Sequence, residues 1–207
     1  MIDVPLLLAF IAAAAVLAVT PGVDTAMVLN TAVSTGKRPA LMAGLGIALG
    51  CLLWGVVVSF GLGAVLQTSE AAYKAVKYLG AIYLLWIGIG LLMRPRSTSE
   101  SGLRAKLKDK GGQAFRRGFM VNVLNPKVGI FYLTFLPQFV PQSADVASYS
   151  LLLASIHVLL SLAWFCVLII ATLPLGEFLK NPRSVKMLDR VTGGIFVFFA
   201  VRLASQT

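Results

Sequence analysis

Cysteine and histidine are nearly absent: the 207 residues include two cysteines, Cys51 and Cys166, and a single histidine, His157. The two cysteines lie in separate apolar segments and give neither a disulfide framework nor metal-ligand spacing. A heavy-metal exporter would need soft ligands in a cluster, and a membrane thiol–disulfide carrier would need its cysteines where the chain breaks. No nucleophile–base pair or metal motif is present, so the sequence reads as no enzyme, with no cofactor. Acidic residues are scarce as well, eight against eighteen lysines and arginines, for a net charge of +10. A basic excess can mean nucleic acid, but here the cations border hydrophobic segments and form no aromatic-interleaved basic face.

What the chain has in abundance is apolar length. Hydrophobic residues make up 58%, charged residues 13%, and the mean hydropathy is +0.87, which places most of the chain in a bilayer. Six spans follow from the runs, at about 4–33, 40–66, 78–93, 119–140, 150–173 and 188–204. The first run is preceded by Asp3, lacks the positive flank of a signal peptide, and reads as a span. Span 2 carries Gly44, Gly46, Gly50 and Gly55, a small-residue pattern suited to close helix packing that also permits a homodimer. Residues 67–77 and 176–186 read as short polar connections, and span 6 reads as short. Tyr83 and Trp86 read as packing or interface-anchoring residues, and His157 as an interhelical hydrogen-bonding residue in span 5.

Two spans contain features that lipid does not tolerate without a reason. In span 1, Thr20-Pro21-Gly22-Val23-Asp24 places a helix break and a carboxylate at membrane depth. In span 4, Asn122-Val123-Leu124-Asn125-Pro126-Lys127 does the same with a cation. In each, a side chain able to cap a helix, Thr20 or Asn125, precedes a proline suited to the first helical position. Irregular backbone at that depth survives where it faces protein or a watery cavity, and an ionisable residue there marks a functional site by default. Asp24 and Lys127, with Thr20, Gly22, Asn122 and Asn125, are therefore the candidate substrate-binding residues, and Pro21, Gly22 and Pro126 the candidate break residues. The competing readings are an Asp24 that only complements a helix N-terminus, and a Lys127 that snorkels or forms a structural salt bridge with Asp24.

If the basic segment 94–117 is cytoplasmic, fourteen cations lie inside and three, Lys74, Lys77 and Arg202, outside, so both termini are expected to be external. The halves also resemble each other. Lys77-Tyr78-Leu79-Gly80-Ala81-Ile82-Tyr83 matches Arg190-Val191-Thr192-Gly193-Gly194-Ile195-Phe196 at an offset of 113, and Pro21 and Pro126 lie 105 positions apart. Three spans followed by three more must point in opposite directions. The expected fold is thus an all-α integral membrane protein of six transmembrane helices, built as two inverted three-helix repeats at 1–94 and 118–207 joined by a basic linker at 95–117, with spans 1 and 4 broken at their proline motifs.

The Thr20-Pro21-Gly22-x-Asp24 motif, the Gly44-x-Gly46-x-x-x-Gly50 run, and Phe115-Arg116-Arg117-Gly118-Phe119 continuing through Asn122-x-x-Asn125-Pro126-Lys127 to Phe135-x-Pro137-Gln138-Phe139 resemble the lysine-exporter (LysE/RhtB) family of bacterial amino-acid exporters. The resemblance continues to Leu188-Asp189-Arg190-x-x-Gly193. Val23 stands where the family pattern usually has a second proline, which relaxes the break. The resemblance implies efflux of amino acids or close derivatives across the bacterial inner membrane, driven by proton antiport. Asp24 suits the substrate ammonium and is the candidate proton carrier, while Lys127 and the half-helix N-termini suit the carboxylate. An ion channel is the alternative that the residues leave open.

The cation asymmetry generates a test of topology. Single cysteines placed within residues 97–112 should resist an impermeant thiol reagent in intact cells and react after permeabilisation; strong labelling from outside would reverse the orientation.

Overall fold

The computed structural model describes residues 3–68, 70–95, 111–141, 143–171, 178 and 181–205, and every regular element among them is helical. In chain order these are α1 (Val4–Val19), α2 (Val23–Ser34), α3 (Lys37–Thr68), α4 (Glu70–Met93), α5 (Gly111–Val123), α6 (Pro126–Phe135), a single 3-10 turn (Leu136–Phe139), α7 (Val146–Ile170) and α8 (Pro182–Ser205). Most of the linker expected at 95–117 lies outside the described residues; its last part, from Gly111 onward, already belongs to α5.

Local chemistry sets the helix ends. Asp3 caps α1, its carboxylate accepting from the Leu6 N–H at 3.0 Å. Asp145 caps α7 in the same way through the Ser148 N–H at 2.8 Å, and those bonds to Ser148 hold its carboxyl below the usual range. The cap's contribution to stability is therefore present above the unfolded pKa and is lost as pH falls through the lowered folded one. Gly36, at φ 105°, reverses the chain after α2, its N–H donating to the Thr31 carbonyl at 3.1 Å.

Among the described residues, two helices qualify as membrane spans by length and composition, Lys37–Gly61 within α3 and Val146–Ile170, and the pair α1 and α2, bent by 50°, qualifies as a third if taken as one span. At 1.5 Å per residue the 25 residues of α7 rise about 37 Å, more than the roughly 30 Å hydrocarbon core. The chain is a multi-pass membrane protein, and its exposed surface agrees with that reading. Leu41, Leu45, Leu49 and Leu53 form an exposed ladder at four-residue spacing on α3, while Ala40, Ala43, Ile47 and Cys51 on the same helix are buried. Leu79, Ile82, Trp86 and Met93 form a similar outward face on α4, so Trp86 is not interior packing. The Tyr83 side chain lies outside the described residues.

Several boundaries differ from the sequence expectation. The connection expected at 67–77 is helical through Thr68 and again from Glu70, because Ala71, Ala72, Lys74 and Ala75 are strong helix formers and no proline or glycine interrupts them. The helix that carries the apolar run expected at 188–204 begins before it: α8 starts at Pro182, whose ring suits a first helical turn, and runs 24 residues. Span 5 begins earlier, at Val146, where Asp145 supplies the cap.

Packing is densest where α3 meets α5 and α7, and where α4 meets α8. Glycine permits the first contact: a Cβ on Gly46 would strike the Phe115 carbonyl oxygen, and one on Gly118 would strike the Ala43 carbonyl oxygen. At the second contact, a Cβ on Gly193 would come within 2.7 Å of the Gly88 carbonyl oxygen, and one on Gly88 within 2.9 Å of that of Gly193. An aromatic group fills the interior between α1, α6, the 3-10 turn and α7, with Phe131 stacked on Phe135 at 4.6 Å and Phe10 edge-on to Phe139 at 5.3 Å.

Gly46→Ala and Gly118→Ala should each lower the unfolding free energy in detergent by about 1–3 kcal/mol, since backbone must move to admit the methyl group. Gly90→Ala, where a Cβ would meet nothing within 4 Å, should leave stability level or raise it slightly.

Candidate functional site

The chain between α1 and α2 cannot continue as helix. Gly22 is extended at φ −146° and ψ −174°, so α2 starts only at Val23, with Asp24 in its first turn. The cap expected from Thr20 is therefore made differently. Thr20 ends α1, its hydroxyl donating to the Val16 carbonyl at 2.7 Å and lying 2.6 Å from the Thr192 hydroxyl of α8. The N-cap of α2 is Gly22, which has no side chain to donate or accept, and Pro21 is buried ahead of it. At the second motif α6 begins at Pro126, and the Asn125 backbone carbonyl accepts from the Val128 and Gly129 N–H groups at 3.1 and 3.3 Å.

A cavity lies between these two chain segments, with about 80 Å³ open to the centres of water-sized spheres. Thr20, Gly22, Asp24 and Asn125 line it, so four of the sequence-predicted residues converge. Asn122 joins them indirectly: fully buried on α5, it donates from Nδ2 to Asp24 Oδ2 at 2.8 Å and to Cys51 Sγ at 3.3 Å. The amide must present its nitrogen to Asp24, because an ionised carboxylate can only accept. Lys127 occupies the first turn of α6, and its side chain, like that of Pro126, lies outside the described residues.

The remaining walls come from residues that sequence reasoning did not assign to a site. They include Leu17 and Ala18 of α1, Ile47 and Cys51 of α3, Val128 and Phe131 of α6, His157, Ser161 and Phe165 of α7, and Phe196 of α8. His157 Nδ1 lies 2.8 Å from the Tyr132 hydroxyl. Two polar groups therefore stand in an otherwise apolar interior, Asp24 with Asn122 and Cys51 on one side and Tyr132 with His157 on the other. The sequence signal that could have found the second of these is the spacing of His157, Ser161 and Phe165, one helical turn apart on a single face of α7. Cys166, by contrast, is exposed, and both cysteines are free.

Gly50 belongs to the site too. A Cβ there would lie 2.5 Å from Asn122 Oδ1 and 3.0 Å from Asn122 Cβ, so the glycine makes the room in which the amide reaches Asp24. Read from sequence alone, it was one more packing glycine.

The chain belongs to the LysE type translocator family, whose sequence model matches residues 15–207. It is 30% identical over 203 residues to an uncharacterized membrane protein, YrhP, of Bacillus subtilis (strain 168), covering 95% of this chain and 97% of that protein. It is 30% identical to a leucine efflux protein of Enterobacter sp. (strain 638), covering 95% and 93% of the two chains. It is 27% identical to a homoserine/homoserine lactone efflux protein of Salmonella typhimurium, covering 95% of each. No solved structure matches the chain.

The Gly50–Asn122 contact predicts non-additive energetics. Gly50→Ala should be destabilising in the wild-type background and less so beside Asn122→Ala, with a coupling of about 0.5–3 kcal/mol in thermal unfolding. Additive effects would show that the glycine is not there for the amide.

Proposed function

We propose that the chain exports amino acids or close derivatives from the cytoplasm across the bacterial inner membrane by proton antiport. The observation that carries this reading is the convergence of Thr20, Gly22, Asp24 and Asn125 on one cavity, in a chain of a translocator family with relatives named as leucine and homoserine efflux proteins. Binding a zwitterion within a bilayer needs an acceptor for its ammonium and positive or dipolar partners for its carboxylate. Asp24 supplies the acceptor. The N-termini of α2 and α6, together with Lys127, supply the other pole. Asp24 and Lys127 exchange their mutual attraction for the two charged groups of the cargo, so that charge stays compensated in the empty and loaded states.

The proposed architecture is six spans in two inverted repeats, with spans 1 and 4 broken at Pro21-Gly22 and Asn125-Pro126 and both termini external. Two features support it: the heptapeptides beginning at Lys77 and Arg190 match between the halves, and the proline motifs at Pro21 and Pro126 recur in the same order. The glycines of α3 that the sequence offered for a homodimer are not its face, because Gly44, Gly46, Gly50 and Gly55 abut α5 and α7 within the one chain. In the antiport cycle Asp24 is the proton carrier: burial favours its neutral form and an adjacent cation its charged form, so that arrival and departure of substrate change its proton affinity.

Counterflow of a panel of labelled amino acids into proteoliposomes holding the full-length protein tests the activity. Asp24→Asn and Lys127→Met should each reduce transport by roughly tenfold or more, equivalent to about 1.4 kcal/mol or more of lost binding, while thermal unfolding stays close to wild type. Asp24→Asn should also lose its response to an imposed pH gradient. Wild-type export with unchanged pH dependence in a folded Asp24→Asn protein would leave Asp24 as a helix-terminus complement and remove it from the mechanism.

A further inference from the structure

Asp24 and Cys51 line the cavity, and behind them lies Asn122, fully buried on α5. An amide nitrogen has two hydrogens to give, and here both are committed: Nδ2 donates to Asp24 Oδ2 at 2.8 Å and to Cys51 Sγ at 3.3 Å. The amide oxygen has no such engagement. Asn122 Oδ1 is buried and accepts from no group among the described residues, and Gly50 bounds its space so closely that a Cβ there would lie 2.5 Å away. A buried acceptor left unmet is destabilising, and an asparagine serving the bundle alone has no reason to carry one. The arrangement makes sense for a residue whose value lies at its donor end.

We propose that Asn122 is a positioning residue: it donates nothing to the cargo, and it holds the Asp24 carboxylate in the orientation that meets the cargo's ammonium, with Cys51 as the acceptor that keeps the amide from turning. The inference rests on the export reading above, in which Asp24 receives that ammonium. The terminal torsion of an aspartate is broad, so an oxygen has to be tied if the carboxylate is to face one way before the cargo arrives. Nδ2 ties Oδ2 through a charge-assisted bond. That bond alone would let amide and carboxylate turn together; the second bond, to a sulfur on another helix, references the pair to α3. Three helices thus set one carboxylate: α2 carries it, α5 grips it, and α3 fixes the grip while Gly50 leaves the room. Because both donor hydrogens are taken, loss of Asn122 weakens every cargo alike.

Half-saturation in counterflow reads this effect, measured with the full-length protein in proteoliposomes and with labelled leucine and labelled homoserine as probes. Asn122→Leu, close to asparagine in size and without its donors, should raise half-saturation for both probes by a common factor of roughly tenfold or more, the size expected for a lost hydrogen bond to a charged group. In an Asp24→Asn background the same substitution should add little, since the charge it served is gone. Cys51→Ala, which removes the acceptor, should weaken binding more than Cys51→Ser, which keeps one, and that difference should vanish beside Asn122→Leu. The two Cys51 variants leave the Asp24 contact in place, so the test stands even if Asn122→Leu fails to fold. An Asn122→Leu effect that differs between the two probes would make the residue a cargo contact, and one that persists in full in the Asp24→Asn background would make it a packing residue. Either result, or equal affinities in Cys51→Ala and Cys51→Ser, overturns the proposal while leaving amino-acid export intact. Failure of the wild type to move any amino acid of the panel overturns the export reading, and this inference falls with it.

Discussion

A carboxylate inside an apolar bundle has to be met by donors, and in this protein that requirement reaches through three helices. Asp24 sits on α2, and its donor Asn122 sits on α5, which can come close enough only because α5 lies against α3 backbone to backbone at Gly46 and Gly118. The amide then needs the space left by Gly50. An unpaired charge in such a place costs several kcal/mol, more than any one of these glycines costs the helix in intrinsic propensity, about 1 kcal/mol. The glycine run on α3 therefore makes sense as the condition for one hydrogen bond as much as for helix packing.

The same logic extends to the other hydrogen bonds inside the bundle, Asn122 to Cys51 and Tyr132 to His157. Each joins two helices, so the polar groups fix relative positions that apolar packing alone would leave more permissive. It also separates fold from cargo. Relatives named for leucine and for homoserine cover nearly the full length of this chain. On the export proposal, a shared framework with different cargoes leaves discrimination to the lining of the cavity.

How much of this was legible in the sequence depended on how foreign each residue was to its surroundings. Asp24 and the two proline motifs stood out because lipid penalises a charge and a missing backbone donor, and both kinds of feature lead to the cavity. The role of Thr20 did not follow, since its hydroxyl could cap forward or bond backward, and only the extended backbone at Gly22 decides between them. His157 was read as an interhelical hydrogen-bonding residue, which its contact with Tyr132 is, but its place on the cavity with Ser161 and Phe165 was not read, because a buried helix is apolar on all sides and its periodicity names no face. The end of α3 and start of α4 were misplaced for a related reason: a polar composition signals departure from the membrane, but it does not end a helix when alanines and a lysine continue it.

The contact between Gly88 and Gly193 has a mechanical consequence. Helices that mesh through large side chains are locked by knobs seated in holes, and shifting one past the other means lifting each knob out. Where α4 crosses α8, carbonyl oxygens and glycine Cα atoms meet directly, with no side chain of either glycine standing between the two backbones. Knobs are nevertheless seated here: Val197 fills the space over Gly88, and Leu91 and Leu92 that over Gly193, so each glycine is the hole that receives the facing helix.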